Sequence, residues 1–435
     1  AGFVELIGHA RRRGSSRGDA IRQARRQPAA MSREATLLFW RRAESPRCGA
    51  TSPDDAPMSR LERHSRRASY LHALEFGEEQ VAKTIEKSPD YFPIYTVGGK
   101  WRHPGELWTD WTGGFFAGMM WRFHKRTKKP FWREQAERYS RLLEHRKHDR
   151  DVHDLGFIFL NSYLPWFETT GDESLQQVVL EAGRTLALRF NAKGKYLRSF
   201  VAPESLFIDI MMNVPIIVYT ANVTRDAALL DVALTHCRTT RDTIVRADGS
   251  TAHEGIFDLA TGEFLKQTTH QGLRADSAWA RGLAWSLYGY TTVARLTGLE
   301  EFLEVAERNA QYWLTHLPAD RVPYWDFDAD LSAPLPWGPQ KDTSAGAIAA
   351  SGLLDLAKLT KNPAAATAYR STALAMLDAL TTKEYLATST PGWEGILLHG
   401  VYHTAKNLGV DESVAWGEFF FVEALSKALE DETLT

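Results

Sequence analysis

The sequence predicts an all-α fold, an (α/α)6 barrel of six inner and six outer helices, on three observations. From about residue 71 onward, stretches carrying charge on one face alternate with stretches that are apolar nearly all round. Five of the apolar stretches close with a short threonine-led turn. Five of them also open at or within two residues of an aspartate: Asp154, Asp209, Asp276, Asp342 and Asp411. A length of 435 residues would by itself suggest two or three domains. One unbroken alternation is instead the pattern of a single large barrel.

Outer-type helices are predicted near 71–88, 130–147, 173–189, 225–244, 299–315 and 363–380. The fifth shows the type: Leu299, Phe302, Leu303, Ala306, Ala310 and Trp313 recur at helical spacing while Glu300, Glu301, Glu304, Glu307 and Arg308 take the other face. Inner-type helices are predicted near 111–125, 156–168, 208–222, 278–296, 343–359 and 412–429. The last, with Trp416, Phe419, Phe420, Phe421, Val422, Ala424 and Leu425, has no face suited to water. The turns Thr127-Lys128-Lys129-Pro130, Thr170-Gly171-Asp172, Thr224-Arg225-Asp226, Thr297-Gly298 and Thr360-Lys361-Asn362-Pro363 join inner to outer helices. Turns this short make neighbours antiparallel, so all inner helices point one way. Their N-terminal ends and the longer loops then share one mouth, where function is expected.

Composition narrows the partners. A formal net charge of −2 with 24% charged residues favours neither nucleic acid nor an anionic membrane. The two cysteines, Cys48 and Cys237, cannot form a disulfide framework, and no apolar run is long enough for a membrane span. With no recognisable signal peptide, a cytoplasmic monomer or weak homodimer is expected. Residues 1–70 differ from the rest, with 15 Arg, no Lys and 7 acidic residues. They are expected to be a disordered leader ahead of a single catalytic domain over 71–435.

Asp342, followed by Thr343 and Ser344, and Asp411, followed by Glu412, read as helix caps. Asp209 lies instead among Leu206, Phe207, Ile208, Ile210, Met211 and Met212. Desolvation there is expected to raise its pKa and suit it to general acid work. Asp154 would be a second carboxylate at the same mouth, and two close carboxyls push their titrations apart. Arg281 and Trp285 are four apart on one helix and follow Trp279, so a guanidinium among indoles could hold an acidic sugar. His145, His148 and His153 fit no metal-ligand pattern and are expected at a solvated helix end. Neither a phosphate cradle nor a nucleophile elbow is present. No metal and no cofactor are expected.

The chain resembles the unsaturated glucuronyl hydrolases of glycoside hydrolase family 88. The resemblance rests on Trp111-Thr112-Gly113-Gly114-Phe115, His153-Asp154-Leu155-Gly156-Phe157, Ile208-Asp209-Ile210-Met211-Met212-Asn213, Gln271-Gly272, Trp279-Ala280-Arg281-Gly282, Asp342-Thr343-Ser344-Ala345 and Gly409-Val410-Asp411-Glu412. It spans roughly residues 75–428. What it implies is an (α/α)6 barrel acting on the unsaturated uronate-containing oligosaccharides that polysaccharide lyases leave. It also implies Asp209 as acid/base, Asp154 as its companion, His253, Gln271 and Arg281 as substrate contacts, and Trp111, Trp279 and Trp285 as stacking aromatics. The subgroup preferring sulfated sugars carries Ser-x-x-Ser-x-Lys in its C-terminal loop, whereas residues 385–411 contain only Ser389. Rival readings are an unsaturated rhamnogalacturonyl hydrolase, an inverting glycosidase on saturated sugars, and a non-catalytic sugar-binding barrel.

Overall fold

The structure, a computed structural model, describes residues 60–101, 111–334 and 337–431. Helices dominate: α1 (Arg60–Lys87), α2 (Gly113–Thr127), α3 (Pro130–Leu143), α4 (Leu155–Phe159), α5 (Tyr163–Thr170), α6 (Glu173–Ala187) and α7 (Pro215–Thr224) form the first half. The second half holds α8 (Ala227–Ile244), α9 (Ala280–Thr297), α10 (Glu300–His316), α11 (Thr343–Leu359), α12 (Pro363–Leu380) and α13 (Ala415–Leu429). The inner ring runs α2, α4 with α5, α7, α9, α11, α13, each touching the next, and α13 closes onto α2. Outside it, α3 packs on α2, α6 on α5, α8 on α7, α10 on α9, α12 on α11 and α1 on α13. This is the (α/α)6 barrel expected from the alternation. Among the described residues no helix is long and apolar enough to cross a membrane.

The recurring threonine has a mechanical reason. Thr127, Thr170 and Thr297 each donate from the hydroxyl to the carbonyl four residues back and accept the N–H two residues ahead. The intervening Lys128, Gly171 and Gly298 adopt left-handed φ of 58°, 72° and 70°. One side chain thus ends the inner helix and aims the chain at the outer one, whose start is set by Pro130, by the Asp172 and Asp226 caps, or by Asn362 with Pro363.

Strands are short. Hairpins pair β1 (Thr96–Val97) with β2 (Lys100–Trp101) and β3 (Phe190–Asn191) with β4 (Tyr196–Leu197). At the mouth, β5 (Ser205–Phe207), β6 (Glu254–Phe257) and β7 (Phe264–Thr268) form an antiparallel sheet with Leu206 opposite Gly255. A last hairpin joins β8 (Gly400–His403) to β9 (Leu408–Glu412), with Val401 opposite Val410.

Three expectations need correction. The first helix begins at Arg60, so residues 60–70 belong to the barrel: Arg66 pairs with Asp378 at 2.6 Å and buried Tyr70 donates to Leu374 O and Asp378. The rest of the predicted leader lies outside the described residues. The second and third inner helices are broken, at Leu160–Ser162 and by a 3-10 turn over Ile208–Met212. Pro215 forces the second break, since it has no N–H and its ring would clash with the preceding helical turn. Asp411 caps nothing; it lies on β9 with φ 63° and pairs with His399, itself at φ 59°.

Inner helices pack closely where glycine removes the side chain. A Cβ on Gly156 would stand 2.5 Å from Asn213 Cα, and one on Gly289 would meet the Met211 backbone. Phe115, Phe157, Trp285 and Phe420 form a chain of ring contacts between the inner helices, and Glu423 on α13 is a buried carboxylate tied to Arg122, Lys427, Tyr288 and Ser351. Replacing Gly156 by Ala should destabilise the fold by about 1–3 kcal/mol through overpacking, measured as a lower urea midpoint with an unchanged slope.

Candidate active site

Asp154 immediately precedes α4 and occupies its cap position, but its side chain caps nothing. The N–H of Phe157 is taken instead by Asn213 Oδ1 at 2.8 Å, and Asn213 Nδ2 donates to Asp209 O at 3.2 Å. One amide side chain therefore clamps the two aspartate-bearing segments together. Around Asp209 the residues Ile208, Ile210 and Met211 are buried; the Asp209 side chain as a whole keeps 14% exposure, but its Oδ2 is buried. The 3-10 turn sets these apolar neighbours into the core and presents Asp209 Oδ2 to His253.

Each carboxyl faces a buried imidazole. His253 Nδ1 accepts the N–H groups of His270 and Gln271 at 2.9 and 3.0 Å, so its proton sits on Nε2, 3.5 Å from Asp209 Oδ2. His153 Nδ1 accepts the Phe200 N–H at 3.1 Å, and its Nε2 lies 3.5 Å from Asp154 Oδ1. Both approaches are long for a hydrogen bond. His153, expected at a solvated helix end, is 1% exposed because the loop at Phe200 folds over it.

The protonation order differs from the expected one. Burial would raise the Asp209 carboxyl, but the Nε2–H of His253, with His153 and Arg281 nearby, holds it below the usual carboxylate range. Asp154 is pushed up to about 8 by burial and by the charge on Asp209, against weaker opposition from Arg189 and Arg146. In the free protein the pair thus carries one proton, on Asp154, and one charge, on Asp209.

Arg281 is not an open fork. It is 2% exposed, donating through Nη1 to Asp342 at 3.2 Å and to Val401 O, and through Nη2 to Gln271 Oε1 at 2.6 Å and Tyr402 O at 2.7 Å. Its carbon centre lies 4.5 Å from the Trp279 ring and 5.2 Å from that of Trp416. It therefore acts as a buried positive charge that anchors Gln271 and β8 beneath the mouth. Its ion partner is Asp342, not Asp276, which is exposed and pairs with Arg274. Asp342 also caps α11 through Ser344 N, as expected.

The three tryptophans have different fates. Trp111 is partly exposed, stacks on Trp416 at 4.8 Å and touches Tyr402, so it can offer an edge or face to a sugar. Trp279 is buried between His253 and Arg281 and supports them. Trp285, 1% exposed against Phe157 and Phe420, is core and offers nothing to a ligand. Half-buried His270, next to Gln271 in sequence, lines the same place; Tyr402 does so without having been singled out, because β8 reaches the mouth only in three dimensions. Among the described residues no cluster of His, Cys, Asp and Glu is arranged to hold a metal ion. Asp342→Ala should cost about 3–5 kcal/mol by leaving Arg281 buried without its counter-charge. Urea unfolding at neutral pH would measure this.

Comparison with known proteins identifies the family. The pattern of glycosyl hydrolase family 88 matches residues 81–406. An unsaturated glucuronyl hydrolase from Formosa agariphila is 33% identical over 326 residues, covering 73% of this chain and 80% of the relative. Another from Bacillus sp. strain GL1 is 31% identical over 355 residues, covering 79% and 92%. The crystal structure of an unsaturated glucuronyl hydrolase specific for heparin, 30% identical, superposes with a TM-score of 0.76 over 84% of this chain and 97% of its own. The chain is a glycoside hydrolase, a member of glycosyl hydrolase family 88.

Proposed function

We propose that the chain releases the 4,5-unsaturated uronic acid from the non-reducing end of lyase-generated oligosaccharides by hydrating the C4=C5 bond. The observation that carries this reading is the Asp154/Asp209 pair at the mouth, each carboxyl facing the Nε2 of a buried histidine at 3.5 Å, with the two titrations pushed in opposite directions. The relatives support the substrate class: they are unsaturated glucuronyl hydrolases and, in Streptococcus pneumoniae, an unsaturated chondroitin disaccharide hydrolase that is 30% identical over 335 residues.

The substrate is an enol ether, so adding a proton to C4 leaves an oxocarbenium ion centred on C5. Water then bonds to C5, and the hemiketal opens and expels the next sugar. An arriving uronate brings a second negative charge beside Asp209, which raises that group's proton affinity and draws over the proton held by Asp154. Asp209 gives the proton to C4 and, as carboxylate, takes one from the attacking water. Asp154, now ionised, stabilises the positive sugar ring together with the fixed dipoles around it. Trp111 and Gln271 border the space for the ring, while Arg281 supplies its field from below. With only Ser389 among residues 385–411, an unsulfated sugar is the proposed neighbour of the uronate.

Three measurements test this. Asp209→Asn should lose at least about 10³-fold in turnover yet still bind an unsaturated disaccharide; near-normal turnover would remove the mechanism. In heavy water the product should gain deuterium at C4, and oxygen-18 from water should enter at C5. Label at C1, or turnover of a saturated disaccharide, would mark an ordinary glycosidase. Because the free protein must enter with its proton, kcat/KM should fall as pH rises through about 8, where Asp154 ionises.

A further inference from the structure

His153 takes no part in the chemistry described above, yet it is more tightly specified than either aspartate. Its ring is buried between Phe200 and Phe207, at 5.1 and 5.9 Å. Phe200 N–H occupies Nδ1, so a second proton there would be aimed at an amide hydrogen. Around it lie Asp154 on its own loop, Asp209 on the 3-10 turn, His253 ahead of β6, His236 on α8 and Arg189 beyond α6. Burial, with Arg189 and His253 adding to it and Asp209 opposing, brings the imidazole down to about 3. Its neutral form is thereby favoured.

The Phe200 amide is itself held in place. Buried Arg189 donates to Arg198 O at 3.0 Å, to Ser199 O at 2.5 Å and to Arg150 O, gripping the chain on both sides of His153. Ser199 Oγ continues to Ser205 Oγ at 2.8 Å and on to Glu254 Oε1 at 2.5 Å, beside His253. At the other end of the ring, Nε2–H faces Asp154 Oδ1, while Asp154 Oδ2 is buried with no partner in the protein.

We propose that His153 is a positioning residue for the hydrolysis: locked as an Nε2–H donor by the Phe200 amide, it orients Asp154 Oδ1 and leaves Oδ2 as the oxygen that carries the exchangeable proton. The proposal rests on the proposed function for its kinetic consequences and on the geometry alone for its titration. A donor to a carboxyl favours the charged form, so removing it makes Asp154 harder to ionise. Misdirecting the proton by about an ångström costs on the order of 10²-fold in rate.

Two variants separate positioning from packing. His153→Asn keeps an acceptor for Phe200 N–H but has nothing to reach Asp154; His153→Gln places an amide N–H near the lost Nε2. In His153→Asn, kcat should fall by about 10–100-fold with KM within about twofold, and the alkaline limb of kcat/KM should move to higher pH. His153→Gln should restore the limb and most of kcat. Carbon-13 titration of the Asp154 carboxyl, which needs no turnover, should show the same upward shift in Asn and none in Gln. An unmoved Asp154 midpoint in His153→Asn, or equal shifts in both variants, overturns the proposal. A wild-type protein that leaves unsaturated uronides intact overturns the proposed function instead, and the carboxyl titration still decides the role of His153.

Discussion

Two carboxyl groups buried side by side in an apolar wall cannot both be ionised, because each charge lacks water and repels the other. Much of the mouth decides which one keeps the proton. His253 aims its only ring proton at Asp209, and Arg281 adds a buried positive charge on the same side. Asp154 has the deeper position and the neutral His153, so the proton rests there. The asymmetry is set by main-chain amides: those of His270, Gln271 and Phe200 fix the tautomers, and amides held in a folded backbone do not titrate.

The barrel supplies what that arrangement requires. Its inner ring brings the segments carrying Asp154, Asp209, Arg281 and Asp342 to one end, and glycines at the crossings let those segments approach closely. The two interruptions of the inner ring lie in the segments that carry the acids. A regular helix through residues 208–222 would have spread Asp209 and its neighbours around a cylinder; the 3-10 turn before Pro215 instead presents Asp209 to His253. Asn213 then joins that turn to the start of α4 by hydrogen bonds to both.

Buried charge is handled differently from place to place. Glu423 on α13 is surrounded by Arg122, Lys427, Ser351 and Tyr288, which hold it down at about 2 despite burial. Glu418 accepts only the amides of Ile396 and Leu397, and burial pushes it up to about 8. Arg281 has one carboxylate and three neutral oxygens, while Arg189 is held by carbonyls. Arg281 and Arg189 are thus satisfied mainly by neutral oxygens, which leaves most of their field uncancelled.

From the chain of residues alone, the barrel, its six helix pairs and the two acids could be read, because hydrophobic periodicity and threonine-led turns act over a few residues. The Ile208–Asn213 run was legible as chemistry, yet the net shift at Asp209 was predicted with the wrong sign: burial does raise it, but His253, His153 and Arg281, distant in the chain, outweigh burial. Trp279, Trp285 and Arg281 were found by spacing, but spacing could not tell a stacking surface from a core residue or an open guanidinium from an occupied one. Those distinctions rest on β8, on the loop at Phe200 and on Asp342, all distant in the chain from what they control. Sequence set the local periodicity and the residue inventory; tertiary structure decided solvent access, tautomer and protonation, because each depends on dielectric and partners that only the folded chain brings together.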